Sequence, residues 1–110
     1  MDFKKYQKLS RKTALYSRLG KNWIVYPVLG LLSESGEIAG KFKKILRDQK
    51  WKITAENKKE ISKELGDVLW YIAQIATELG LSLDQVAKEN IEKLFSRKKR
   101  GMLGGSGDNR

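Results

Sequence analysis

The sequence predicts an all-α protein with a four-helix, bundle-like fold. Apolar residues recur at intervals of three and four over most of the 110-residue chain, which is the period of helices with one buried face. No stretch keeps the alternation of a β-strand, and Pro27 is the single proline. We therefore expect one helical domain over residues 1–100, followed by a glycine-rich, irregular tail over residues 101–110.

The first two helices are predicted over residues 2–19 and 27–48. Gly20 ends the first helix, because glycine readily takes the left-handed conformation found at helix ends. Residues 20–25 are predicted to connect the two helices. The second helix begins near Pro27, since proline lacks only a backbone N–H that the first helical turn leaves unpaired.

The last two helices are predicted over residues 54–79 and 82–100. Seven apolar residues of the third helix have the spacing of a core-facing stripe: Ile61, Leu65, Val68, Leu69, Ile72, Ile75 and Leu79. Gly80 ends this helix, and residues 49–53 link it to the second. The segment Ser82-Leu-Asp-Gln85 is a capping box, which predicts the start of the fourth helix.

The chain contains neither cysteine nor histidine. A disulfide, a zinc or haem site of the usual kind and a Cys/His nucleophile are therefore excluded. Any metal must be held by carboxylates, which favours Mg²⁺ or Mn²⁺ over zinc. No apolar run has the length of a membrane span, and the first residues lack the apolar core of a secretory signal. We therefore expect a cytoplasmic protein with no membrane partner.

The net charge is +10, and the positive charge is concentrated at both ends of the chain. Residues 1–28 carry seven Lys/Arg and one acid, and residues 93–110 carry six Lys/Arg and one acid. Residues 29–92 are balanced, with ten Lys/Arg and eleven acids. Basic flanks of this kind attract polyanions, namely nucleotides, nucleic acid or acidic membrane surfaces.

Two acidic couplets, Glu34/Glu37 and Glu64/Asp67, lie in the second and third helices. Residues three apart share a helix face, so each couplet directs two carboxylates the same way. A single couplet is common on a solvated helix face, but both of these lie in apolar stretches, where an uncompensated charge is costly. If the helices pack side by side, the four carboxylates predict a site for a hard divalent ion, the usual partner of phosphate substrates.

Gly36 and Gly66 each directly precede the last acid of a couplet. Glycine inside a helix costs up to about 1 kcal/mol relative to alanine, so a compensating role is expected. Close approach of the two helices at these glycines is our interpretation, because it would bring the couplets together.

The stripes that carry the acids continue into residues suited to a nucleoside triphosphate. Lys or Arg side chains would neutralise phosphate charge, and an aromatic residue would lie near the base or sugar. The candidates are Lys41 and Lys44 on the second helix, Tyr71 on the third, and Asn90, Lys93 and Arg97 on one face of the fourth. No segment has the glycine–lysine pattern of a P-loop, so that kind of phosphate site is excluded.

Four segments together resemble the MazG-like nucleoside triphosphate pyrophosphohydrolases. The first two contain the couplets: Leu29-Gly-Leu-Leu-Ser-Glu-Ser-Gly-Glu-Ile38 and Glu64-Leu-Gly-Asp-Val-Leu-Trp-Tyr-Ile-Ala73. Asn90-Ile-Glu-Lys-Leu94 is similar to the family's N-x-x-K-L element, and Gly105-Ser-Gly-Asp-Asn-Arg110 to its G-x-G-D-x-R ending. The resemblance covers nearly the whole chain, and only the first helix is weakly marked.

The resemblance implies an all-α bundle that assembles as a dimer or tetramer. It also implies Mg²⁺-dependent hydrolysis of an NTP or dNTP to the monophosphate and pyrophosphate. The four acids of the couplets would be metal ligands, with Glu37 favoured as the general base and Glu34 as the other candidate. Lys44, Tyr71, Asn90 and Lys93 would lie near the substrate. Arg110, with Arg100, would pair with phosphate oxygens as the tail closes.

Three alternatives remain open at this point. A basic helical nucleic-acid-binding protein would explain the charge, but the inward-facing acids would repel a phosphate backbone, so nucleic acid is not the expected partner. A relative specialised for dUTP or phosphoribosyl-ATP would keep the same acids. An interaction protein that has lost activity is disfavoured by four intact acids. The sequence does not identify the base.

Overall fold

The computed structural model describes residues 1–16 and 24–110, and within them it contains four helices and no strand. The predicted all-α fold class is confirmed. The helices are α1 (Phe3–Arg11), α2 (Val25–Asp48), α3 (Ala55–Glu78) and α4 (Leu83–Lys99). The last three agree with the predicted bounds to within two residues at each end. The predicted stop at Gly20 and most of the connection over residues 20–25 lie outside the described residues.

Side-chain caps set the starts of α3 and α4. The backbone N–H of Asn57 donates to Thr54 Oγ1 (3.1 Å), and Asn57 Oδ1 accepts from the N–H of Thr54 (2.9 Å), which completes a capping box. Ser82 Oγ accepts from the N–H of Gln85 (3.2 Å), which is half of the box predicted for α4. The Gln85 side chain instead donates to Glu89 in the next turn (3.0 Å).

Pro27 and Gly80 have the roles predicted for them. Because α2 begins at Val25, Pro27 lies in its first turn, where the missing N–H has no helical partner. Gly80 has φ +69°, the left-handed conformation that favours glycine. The N–H of Leu81 then donates to the carbonyl of Ala76 (2.8 Å), which closes the end of α3.

α1 is shorter than predicted, because it ends at Arg11. The backbone N–H and the hydroxyl of Thr13 both donate to the carbonyl of Ser10, at 3.0 and 2.7 Å, so the chain tightens and leaves the helix. Thr13 Oγ1 also accepts from Nε1 of Trp70 on α3 (2.8 Å). The local bonds to Ser10 and this contact with α3 hold the chain after α1, and the local apolar period does not reveal either.

α2 and α3 form the main helix pair and run antiparallel. Lys41 Nζ lies 3.7 Å from Glu64 Oε1, and a carboxylate oxygen of Glu34 lies within 4.8 Å of one of the same Glu64. Nearer the start of α2, the ring of Tyr26 lies 6.3 Å from the ring of Tyr71. Residues nearer the start of α2 therefore contact residues nearer the end of α3, as expected for antiparallel helices.

Gly30 is the glycine at which α2 and α3 approach each other closely. A Cβ at position 30 would overlap the ring of Tyr71, so only glycine leaves room for that ring. A Cβ at Gly36 or Gly66 would meet no atom within 4 Å. The interpretation that Gly36 and Gly66 permit the close approach is wrong in this chain, because the contact lies one to two turns away, at the level of Tyr71.

The buried apolar core is small for four helices. Its cluster consists of Ala73, Ala76 and Leu83, with Tyr6 of α1 packed against it. Large apolar side chains that stay exposed include Leu29, Leu32, Leu65, Leu79 and Phe95. The radius of gyration is 17.1 Å, whereas a compact domain of this length has about 13 Å. The described part of the chain thus leaves extensive apolar surface uncovered by its own helices.

Gly30→Ala is expected to destabilise the protein by about 1–3 kcal/mol, because the added methyl group overpacks the contact with Tyr71. Gly36→Ala is the matched control, since it adds the same atom to the same helix in open space. The control should be neutral or should stabilise by up to about 1 kcal/mol. Urea unfolding measures both variants, and equal effects would contradict the role assigned to Gly30.

Candidate metal centre

Three carboxylates from α2 and α3 lie together. One oxygen each of Glu34, Glu64 and Asp67 can be chosen so that all three lie within 4.8 Å of one another. Glu34 and Glu64 are half-buried, and Asp67 is exposed. The antiparallel pairing of α2 and α3 thus brings Glu34 of the first couplet together with both acids of the second. Glu37, the fourth predicted ligand, is exposed and is not one of these three.

The three carboxylates repel one another, and Glu34 shows the effect. Its hydrogen bond with Glu64 is the first cause that raises the pKa of Glu34, followed by partial burial and by the charges of Asp67, Glu64 and Glu37. The close approach of these carboxylates thus disfavours the charged form of Glu34.

Lys41 supplies a positive charge beside this cluster. Its Nζ lies 3.7 Å from Glu64 and 3.7 Å from Glu60, one helical turn earlier on α3. Of the predicted phosphate ligands, Lys41 is therefore beside the acids. Lys44 is exposed and close to Asp48, whose pKa is lowered mainly by Arg47 and less by Lys44. Ten residues separate Lys44 from Glu34, about 15 Å along the helix.

An open cleft of about 350 Å³ adjoins the acids. Thr13, Glu34, Asp67, Trp70 and Tyr71 line it, so Tyr71 lies where the sequence predicted it relative to the acids. Trp70 and Thr13 were missed. Trp70 is three residues after Asp67 and shares its helix face, a signal that could have identified it. Thr13 lies beyond the end of α1, and no local pattern indicates its position.

Four aromatic rings form a continuous cluster at this cleft: Tyr16, Tyr26, Trp70 and Tyr71. We call this cluster the aromatic wall. Tyr16 and Tyr26 are stacked at 5.2 Å between centroids, and Trp70 meets Tyr71 edge to face at 5.1 Å. Tyr16 also meets the edge of Trp70 at 6.2 Å, which links the two pairs.

The predicted substrate residues of α4 are not brought to the acids. Asn90 and Lys93 line another open cavity, with Val86 and Glu89, that shares no lining residue with the cleft. Arg97 is 5% exposed and is held by the tail, because its Nη2 donates to the carbonyl of Asp108 (2.7 Å).

The tail over residues 101–110 folds back on itself around Arg110. The Arg110 guanidinium donates to four carbonyls of the tail: those of Met102, Leu103, Gly104 and Gly107, at 2.6–3.2 Å. Arg100 in turn donates to the carbonyl of Arg110 (2.9 Å). The expected irregular tail thus has defined turns, and its arginine is engaged within the tail, away from the cleft.

The donor set of the cluster fits a hard divalent ion. Oxygen is the only ligand type that the three carboxylates offer, and Mg²⁺ and Mn²⁺ prefer it. Glu64 is the first cause that raises the pKa of Glu34, and a cation bound between them would neutralise the charges involved.

Among the described residues, no helix is long and apolar enough to span a bilayer.

Residues 27–102 match the family model of the MazG nucleotide pyrophosphohydrolase domain. The chain belongs to this family. It is 48% identical over 109 residues to the Gene 37 protein of Mycobacterium phage L5, with 96% of each chain covered. It is 40% identical over 72 residues to the uncharacterized protein YvdC of Bacillus subtilis (strain 168), with 61% of this chain and 68% of that protein covered. No solved structure matches the chain significantly.

Glu34→Gln is expected to raise the Tm of the metal-free protein by a few degrees at neutral pH, because it removes one of the repelling charges. The pKa of Glu34 is raised on folding, so ionisation of this group costs stability as the pH rises through that pKa. The gain should therefore vanish below about pH 4, where the carboxyl is protonated in both states.

Thermal melts in excess chelator and in excess Mg²⁺ test this expectation. Wild-type protein should gain stability from Mg²⁺, and Glu34→Gln should lose most of that gain. Glu92→Gln, an exposed carboxylate on α4, is the matched control and should behave as wild type. A lower Tm for metal-free Glu34→Gln would contradict charge repulsion at the cluster.

Proposed function

We propose that this protein is a Mg²⁺-dependent nucleotide pyrophosphohydrolase that converts an NTP or dNTP to the monophosphate and pyrophosphate. Mn²⁺ is the alternative ion. The observation that carries the proposal is the carboxylate cluster of Glu34, Glu64 and Asp67, which opens into a cleft walled by Trp70 and Tyr71. Membership of the MazG family supports the same reaction class. The expected location of such an enzyme is the cytoplasm.

The ion would be held by the four acids of the couplets: Glu34, Glu37, Glu64 and Asp67. When bound, the ion supplies positive charge that neutralises phosphate oxygens and lowers the pKa of a water molecule. Glu37 is the favoured general base, with Glu34 as the second candidate. Glu37 is exposed and lies outside the group of three, yet is near enough for its charge to raise the pKa of Glu34. This position leaves its carboxylate available to accept a proton from the attacking water.

The remaining residues would bind the substrate. Lys41, with Lys44 further along α2, would stabilise negative charge that develops on the leaving pyrophosphate. Tyr71 would lie against the base or sugar, because its ring faces the cleft. Hydrolysis of this kind depends mainly on positioning and electrostatics, so the helical pair suffices without a covalent nucleophile.

The chain would assemble as a dimer or tetramer. In that assembly the substrate would be reached by three residues of α4: Asn90, Lys93 and Arg97. Within one copy, the cavity of Asn90 and Lys93 is separate from the acids. The small core and the exposed apolar side chains of α2, α3 and α4 support self-association. Light scattering at micromolar concentration tests it, and a mass of 12.6 kDa would contradict it.

Hydrolysis should require Mg²⁺ or Mn²⁺, and Asp67→Asn and Glu37→Gln should each lower kcat by a hundredfold or more. Both substitutions remove a charge while keeping the side-chain shape, so the helical circular dichroism should not change. The assay is a panel of natural and modified nucleotides, scored for the monophosphate and pyrophosphate, which also reports a preference for dUTP.

Glu92→Gln again serves as the matched control, since it removes an exposed carboxylate of α4. Full turnover in excess chelator would contradict the metal requirement. Near wild-type rates for Asp67→Asn would contradict its place in the metal site. Release of inorganic phosphate without pyrophosphate would contradict the proposed reaction.

Deletion of residues 102–110 should lower kcat/KM by about tenfold or more, mainly through KM. Arg110 would have to leave its four tail carbonyls to pair with phosphate, and a charge-assisted contact of this kind contributes about 1.5–3 kcal/mol. Asn109→Ala is the control within the tail, because its side chain is exposed. An unchanged kcat/KM with a lower Tm would assign the tail to capping α4 alone.

A further inference from the structure

The region matched by the family model begins at residue 27, yet a segment before it reaches the cleft. Thr13 lines the cleft, and its hydroxyl oxygen accepts from Nε1 of Trp70 (2.8 Å). Tyr16 does not line the cleft but packs behind it, 4% exposed, against Tyr26 and Trp70. The chain N-terminal to the matched region thus supports one side of the site.

Tyr16 is held in place by a partly buried ionic network. Its hydroxyl donates to Glu78 Oε1 (2.6 Å), and Arg11 Nη1 donates to the same carboxylate oxygen (2.6 Å) and to the Tyr16 hydroxyl oxygen (2.7 Å). Burial and the hydrogen bond to Glu78 raise the pKa of Tyr16 to about 12, so the hydroxyl keeps its proton at neutral pH. The Arg11 guanidinium also lies 5.5 Å from the centre of the Tyr16 ring.

A second buried contact fixes α1 to the same stripe of α3. Gln74 is 0% exposed, and its Nε2 donates to Ser10 Oγ (3.0 Å). Trp70, Gln74 and Glu78 follow one another at intervals of four, so one face of α3 carries both the network and the tryptophan of the cleft. A shift of Tyr16 would therefore be transmitted to Trp70 through direct ring contact.

Trp70 and Tyr71 need such support to face the same cleft. Neighbouring residues on a helix point about 100° apart, so α3 alone does not direct both rings to one side. Gly30 accommodates Tyr71 from the side of α2, and Thr13 and Tyr16 hold Trp70 from the other side. The two flat rings border a cleft that Glu34 and Asp67 also line.

We propose that Tyr16 is a positioning residue for nucleobase binding: anchored to Arg11 and Glu78, it sets the aromatic wall on which the base of the substrate stacks. The inference rests on the proposed function for the identity of the substrate. It adds that the segment before the matched region determines affinity for the base half of the nucleotide. The phosphate half is held at the acids and does not depend on Tyr16.

The two halves of the substrate can be tested separately. Nucleotides with a methylene group between the α and β phosphates resist cleavage at that bond and still carry the base, whereas tripolyphosphate lacks base and sugar. Calorimetry with Mg²⁺ should show that Tyr16→Leu weakens binding of the α,β-methylene deoxynucleotides by tenfold or more, the scale of lost base–aromatic stacking. Binding of tripolyphosphate should stay within twofold.

Steady-state rates give a second readout on the same variants. For the preferred natural nucleotide, Tyr16→Leu should raise KM by tenfold or more and lower kcat less than threefold. Tyr16→Phe keeps the ring in contact with Tyr26 and Trp70 but loses the hydroxyl that bonds Arg11 and Glu78, so its KM should lie between those of wild type and Tyr16→Leu. Leu15→Ala is the matched control, because Leu15 adjoins Tyr16 and is 66% exposed, and it should leave every parameter unchanged.

The outcomes separate this inference from the proposed function. If the natural nucleotides are not hydrolysed but Tyr16→Leu selectively weakens binding of the methylene analogues, the proposed reaction is wrong and the role of Tyr16 in the aromatic wall is supported. If hydrolysis occurs and Tyr16→Leu weakens the analogues and tripolyphosphate equally, Tyr16 has a purely structural role and the inference is overturned. It is also overturned if no analogue binds wild-type protein more tightly than tripolyphosphate does.

A Tyr16→Leu protein that fails to fold would be replaced by Tyr26→Leu. Tyr26 is 45% exposed and stacks between Tyr16 and Tyr71, so its loss disturbs the wall without opening the ionic network. The same selective loss of analogue binding is expected. Equal binding of the analogues to Tyr26→Leu and to wild type would overturn the inference.

Discussion

The contact of Tyr71 with Gly30 fixes the register of α2 and α3, and the carboxylate cluster depends on that register. Because the helices are antiparallel, one turn forward from Gly30 and one turn back from Tyr71 brings Glu34 and Asp67 to the same level. A further step in each direction reaches Glu37 and Glu64, and the next reaches Lys41 and Glu60. The short contacts join the same or neighbouring levels: Glu34 lies near Asp67 and Glu64, and Lys41 lies near Glu60 and Glu64.

This register carries an electrostatic cost. Three carboxylates within 4.8 Å repel one another, and the close contact with Glu64, partial burial and the neighbouring charges, in that order, raise the pKa of Glu34. Lys41 offsets part of it from one side of Glu64. Repulsion of this kind lowers the stability of the folded protein and is typical of a functional site, where binding of a ligand restores that stability. The cluster is thus more informative than its three acids would be on a solvated helix face.

Sequence reasoning succeeded where the deciding interactions are local. The helix starts at Thr54 and Ser82 and the stop at Gly80 depend on neighbouring residues, and the spacing of each acidic couplet is fixed by the helix itself. It failed where an interaction between elements decides. The chain after α1 is bonded to α3 through Thr13 and Trp70, and the close approach at Gly30 depends on which residue of α3 lies opposite.

The candidate site divides in the same way. The grouping of Glu34, Glu64 and Asp67 near Tyr71 could be predicted, because these residues repeat along two helices that are adjacent in the chain, whereas Glu37 lies outside the group. Thr13 and Tyr16 could not, because the end of α1 meets α3 more than fifty residues later in the chain. Asn90 and Lys93 share a helix face as predicted, but a shared face does not specify which cavity that face borders. Local periodicity thus identifies the groups suited to phosphate and metal, whereas the packing of α1 on α3 determines the shape of the cleft.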